Sequence, residues 1–94
     1  MVGRARMNDL LAMLAKELTQ RFGATAPETN RDRLMLDAHA MVSAASMVGF
    51  AGLAETCRAV EAACRSGADI TPMLGTLRAR TAVTLAEIEA LRAA

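Results

Sequence analysis

One histidine, two cysteines and three serines are the side chains of this 94-residue sequence best suited to nucleophilic or ligand chemistry. His39 stands in the stretch LDAHAMVSAASMVGF, residues 36–50, among small and apolar neighbours with Asp37 as the nearby acid. An imidazole is a competent nucleophile near neutral pH, because its unperturbed pKa is about 6.5. Cys57 and Cys64 are seven residues apart, which on a helix means about two turns, or roughly 10 Å. That exceeds the span a disulfide tolerates. With the single histidine elsewhere, the pair also makes a poor zinc site, so buried, reduced thiols acting as small hydrophobes are expected and no metal is. No Gly-rich cradle with a Lys is present, which argues against ATP binding. The chain likewise lacks the carboxylate pairs and nucleophile–base motifs of a hydrolase.

The elements that must carry these residues are helical. Hydrophobic residues make up 53% of the chain and aromatic residues 2%, with Phe22 and Phe50 the two aromatics. The core must therefore be built from Leu, Ala, Met, Val and Ile, and the prevalence of Ala, Leu, Met, Arg and Glu favours helix over strand. Three clusters of turn residues break the chain: Gly23 to Asn30, Val48 to Gly52, and Ser66 to Pro72. They leave four amphipathic segments, expected as helices over about 8–22, 30–48, 52–66 and 71–92. Asn8 or Asp9 is expected to cap the first, Thr29 with Asp32 to form a capping box on the second, and Thr71 to cap the fourth before Pro72. The apolar stripes are Leu10, Leu11, Leu14, Leu18 and Phe22; Leu34, Ala38, Met41, Ala45 and Val48; Leu53, Cys57, Val60 and Cys64; and Leu74, Leu77, Thr81, Thr84 or Leu85, Ile88 and Leu91. Such helices with short connections predict a single all-α domain over 1–94, an antiparallel up-down four-helix bundle. The second and third helices should form a tight hairpin.

A wheel of about 100° per residue turns His39 well over 90° from the second stripe, toward solvent, beside Met35, Leu36, Val42, Ser43 and Ser46. Asp37 falls about 200° from His39 and is expected at the surface or boundary. On this geometry alone, a surface histidine without a role is the default. The apolar and small residues around it are nonetheless unusual for a solvent face and suit a docking patch.

The net charge of +1, with ten arginines and one lysine spread among ten acids, provides no field for nucleic acid or a membrane surface. No stretch approaches the apolar length of a membrane span, and the start MVGRARMNDLL lacks the pattern of a signal peptide. A cytoplasmic location and a monomer are the expected defaults.

The segment from Ala38 to Gly67 resembles the histidine-containing phosphotransfer (HPt) domains of bacterial two-component phosphorelays. Their motif runs, in outline, A-H-x-L-K-G-S-A-x-x-L-G, followed by a pattern ending in L-E on the next helix. Ala38 and His39 match its opening, Met41 stands for the first Leu, and Ala44 and Ala45 replace the Ser-Ala pair. Val48 and Gly49 take the place of Leu-Gly, and Leu53, Cys57, Val60 and Glu61 match the following helix. Val42 and Ser43 depart from the family's Lys and Gly, losing a cation but keeping a small residue beside the imidazole. The resemblance implies a phosphoryl carrier without kinase activity of its own. His39 would accept the phosphoryl group, by family analogy at Nε2, from a receiver-domain aspartate or a histidine kinase and pass it to another receiver. Ser43 and Ser46 would be able to donate hydrogen bonds to it, with Val42, Met35 and Leu36 as docking surface. No cofactor is implied on this chain, and magnesium is expected on the receiver. The alternative is a degenerate bundle of this shape that binds receivers, or dimerises, without carrying phosphate.

Overall fold

The computed structural model describes residues 3–23 and 30–93, and among them the chain forms four helices and no strand. These are α1 (Arg4–Phe22), α2 (Arg31–Val48), α3 (Ala51–Ser66) and α4 (Thr71–Ala93). Each helix packs against the next, α4 closes the ring against α1, and the diagonal pairs make no close backbone contact. This is the expected up-down four-helix bundle, and its most extensive seam is α2–α3.

The helix starts differ from the sequence expectation where local capping signals compete. α1 begins at Arg4, with Gly3 as its cap residue and no side-chain cap bond. Arg4, Ala5, Arg6 and Met7 are adequate helix formers, so the helix propagates back past Asn8 and Asp9, which lie inside it. Thr29 lies outside the described residues. The cap of α2 is Asn30, whose Oδ1 accepts the Arg33 N–H at 2.9 Å. Thr71 is not a cap but the first residue of α4. Ile70 holds the cap position, its carbonyl accepting the Leu74 N–H at 2.9 Å. The Asp69 carboxylate accepts the Thr71 N–H at 3.0 Å, and that bond holds the Asp69 carboxyl below the usual aspartate range. A group with a depressed folded pKa stabilises above its unfolded value and loses that contribution as pH falls through its folded one. Carboxyl NMR should therefore give Asp69 a titration midpoint below that of a free aspartate, with α4 fraying at Thr71 as it protonates.

The buried stripes follow the helical period. α1 contributes Leu11, Leu14, Leu18 and Phe22; α2 contributes Leu34, Ala38, Met41 and Ala45. α3 contributes Leu53, Ala54, Cys57, Val60 and Cys64, and α4 supplies Leu77 and Ile88 with the buried threonines 81 and 84. Between the two options on α4, Thr84 is buried and Leu85 is half-buried, because the Thr84 hydroxyl donates to the Arg80 carbonyl at 2.8 Å. Leu91 is exposed instead of joining the stripe. At 23 residues α4 is longer than α1 with 19 and α3 with 16, so at 1.5 Å per residue its last turn outruns the helices it packs on. Leu10 and Val48 are half-buried at the edge. Both cysteines are free and buried, and burial pushes the Cys57 thiol up to about 11, keeping it protonated.

Asp37 is buried, where the sequence placed it at the surface or boundary. It lies on the seam with α1 and is met there by the Arg21 guanidinium, while Arg33 one turn earlier approaches at 3.5 Å. Arg21 also holds Glu17 at 3.3 Å. A carboxylate tolerates that position because two cations replace its lost hydration. Removing it in Asp37→Ala leaves Arg21 partly solvated, so the expected loss is about 2 kcal/mol rather than that of a stranded buried charge. Thermal unfolding should register this as a Tm roughly 10 °C lower. A double-mutant cycle with Arg21→Ala should recover most of it as coupling.

Two devices fix the α2–α3 hairpin. Gly49 ends α2 with φ of 97°, a left-handed conformation suited to glycine. Its N–H and that of Phe50 both reach the Ala45 carbonyl, at 3.0 and 2.9 Å. At the other end, the Arg31 guanidinium donates to the carbonyls of Ala63, Cys64 and Ala68, at 3.4, 3.3 and 2.6 Å. It thereby caps two carbonyls of the last turn of α3 and one just beyond its end from the start of α2. The two helices are thus pinned in one register along their length.

Candidate functional site

His39 lies mid-helix on α2, and its side chain is 70% exposed. Ala38 and Met41, both fully buried, anchor the backbone on either side of it. The imidazole therefore stands on a rigid element with its ring outside the core. Its Nδ1 lies 3.1 and 3.2 Å from Oε1 and Oε2 of Glu61 on α3. Glu61 is itself 15% exposed and is gripped by Arg65, whose Nη2 is 2.7 Å from Oε1. An ionised carboxylate can only accept, so Nδ1 carries a ring proton, and in the neutral ring the lone pair is left on Nε2. The arrangement is an exposed histidine oriented from a neighbouring helix through Nδ1, with Nε2 in no hydrogen bond among the described residues.

The hairpin register produces this pairing. With the turn at Gly49 and Phe50, positions whose numbers sum to about 100 face each other across α2 and α3, and 39 faces 61. Ser43 and Ser46, one and two turns on from His39, are both exposed. Among the described residues neither hydroxyl has a hydrogen-bond partner, so neither bonds back to its own helix. Leu36 is exposed, whereas Met35 and Val42 are half-buried and pack against the core, offering only their edges. Among the described residues Met47, not singled out from the sequence, is the most exposed large apolar side chain, at 79%. A shallow depression of about 230 Å³ lies farther along the α2–α3 groove, lined by Ser46, Gly49, Ala51, Ala54, Glu55 and Arg58.

Glu61 and Arg65 were missed as site residues in the sequence. Glu61 is the acid that closes the α3 pattern, and pairing positions about the Gly49 turn is the signal that places it against His39. Asp37 belongs to the α1 seam and takes no part in the site. Neither cysteine reaches it, as both are buried. Among the described residues no group of three His, Cys, Asp or Glu could hold a metal ion. Nor does any described helix have the length and apolar character needed to cross a membrane.

No curated protein and no solved structure matches the chain. The family model described as the Hpt domain matches residues 4–94.

Proposed function

Because the chain belongs to the Hpt domain family, whose members serve phosphotransfer in two-component signalling, we propose that His39 is its phosphoryl-accepting residue. The observation that carries the reading is the exposed imidazole whose Nδ1 is held by Glu61 while Nε2 stays open. The donor in this reading is an aspartyl phosphate on a receiver domain, which brings its own magnesium ion. The Nε2 lone pair attacks phosphorus in line, the P–O bond to the aspartate breaks, and the carboxylate leaves with the bonding electrons. The proton on Nδ1 stays in place, so the phosphorylated ring is cationic. The Glu61 carboxylate beside Nδ1 stabilises that charge where it develops. The reverse step returns the phosphoryl group to a second receiver aspartate by breaking the N–P bond.

The work of the chain is positioning. Its bundle holds the nucleophile rigid and accessible, and Ser43 and Ser46 have free hydroxyls on the same face for the transferred oxygens. Leu36 supplies exposed apolar contact for a docked receiver, flanked by the edges of Met35 and Val42. Receiver domains and a histidine kinase are the partners in this reading, with the chain acting as a carrier rather than a kinase, monomeric and cytoplasmic.

The test is transfer from a receiver domain loaded with labelled phosphate. The expected result is loss of label from the receiver and gain of acid-labile, base-stable label on this chain. A chain that binds the receiver and acquires none would be an interaction module instead.

A further inference from the structure

The cationic ring balances the Glu61 carboxylate, but a phosphoryl group on Nε2 brings further negative charge on its oxygens, which a nearby cation would stabilise during transfer. α2 offers none, because no Lys or Arg occurs from Leu34 to Val48. On α3, Arg65 is already engaged with Glu61 at 2.7 Å. Arg58 is exposed and has no ion-pair partner among the described residues. It precedes Glu61 by three residues, about 4.5 Å along the α3 axis toward the Gly49 turn. The same step along α2 from His39 leads to Val42, so Arg58 lies across the groove from the residue that follows His39 by one turn.

A second observation places Arg58 on one face of the hairpin. Arg58 and Ser46 line the same depression, and Ser46, two turns from His39, returns to within about 20° of the histidine's own direction on α2. Arg58 therefore lies on the side of the hairpin from which His39 projects.

Resting on the reading that His39 is phosphorylated, we propose that Arg58 is a catalytic residue of the transfer. Its guanidinium binds the phosphoryl oxygens on His39 from the neighbouring helix and supplies the cation that α2 lacks. A planar guanidinium with several donors suits phosphoryl oxygens, and an arginine side chain is long enough to cover the offset along the groove.

Potassium phosphoramidate tests this without a protein partner. Its P–N bond breaks, an Nε2–P bond forms on His39, and ammonia leaves. The rate of phosphohistidine formation, followed by ³¹P NMR, is expected to fall about tenfold in Arg58→Ala. It should fall further in Arg58→Glu, recover substantially in Arg58→Lys, and stay at the wild-type value in Arg78→Ala, which removes an equal charge from α4. The phosphoryl group on Arg58→Ala should also titrate at higher pH than on the wild type, a change that a purely structural role for Arg58 would not produce. Equal rates and superimposable titrations for the wild type and Arg58→Ala would overturn the proposal and leave phosphorylation of His39 intact. A matching loss in Arg78→Ala would overturn it in favour of overall charge. A wild type labelled neither by phosphoramidate nor by a phosphorylated receiver would sink both readings together.

Discussion

Replacing His39 with glutamine is expected to reduce phosphoryl acceptance from a loaded receiver to background while leaving the bundle folded. The amide nitrogen of glutamine is delocalised into its carbonyl and offers no lone pair to phosphorus, so no substitute nucleophile remains at the position. The fold should be indifferent, because the side chain is 70% exposed and its one strong contact is Glu61, which keeps its ion pair with Arg65. Exposed substitutions of this kind move stability by about 0.5 kcal/mol or less. The measurement pairs the acid-labile label with a thermal melt and with binding of the receiver. Label lost at unchanged Tm and unchanged receiver affinity identifies His39 as the acceptor. Label that persists in the variant would place the acceptor elsewhere.

Glu61→Ala is expected to slow transfer to His39 by about 10–100-fold, the range typical of partners that orient a functional histidine. Two losses contribute. The carboxylate no longer dictates that the proton sits on Nδ1, so part of the population carries it on Nε2 and cannot attack. The cationic ring formed on phosphorylation also loses the charge beside it. Glu61→Gln separates these effects, since its carbonyl oxygen can still accept from Nδ1 but carries no charge, and it should fall between the other two. Nitrogen chemical shifts of the ring supply an independent readout. In the wild type Nδ1 should be the protonated nitrogen and Nε2 the bare one, and the alanine variant should show a mixture. A variant with the wild-type tautomer and the wild-type rate would show that Glu61 is only a surface ion-pair partner of Arg65.

Much of the frame was legible because it is local. Helix number and the breaks follow from residues whose effect is felt within a few positions, such as Gly49 in its left-handed conformation and the Thr71–Pro72 start of α4. The outward direction of His39 was legible for the same reason, since its angle is set by Ala38 and Met41 on its own helix. The α1 start was less so: Asn8 and Asp9 look like caps, but nothing at that point stops good helix formers from extending the helix back to Arg4.

Asp37 shows where the local reading ends. Its own helix places it beside Leu34 and Met41, where a carboxylate is costly, so its burial depends on a partner. That partner, Arg21, is sixteen residues away on α1. Glu61 is twenty-two residues from His39, and Arg58 shares a depression with Ser46 only through the antiparallel register of α2 and α3. The sequence by itself determined four helices, three breaks, and a lone imidazole turned outward, because helix periodicity and turn chemistry act over neighbouring residues. The tertiary structure alone decided what surrounds that imidazole: a carboxylate to fix its proton, an arginine behind the carboxylate, and a free arginine along the groove. Those groups come from another helix, and their proximity is set by how the Gly49 turn and the Arg31 clasp lock the hairpin.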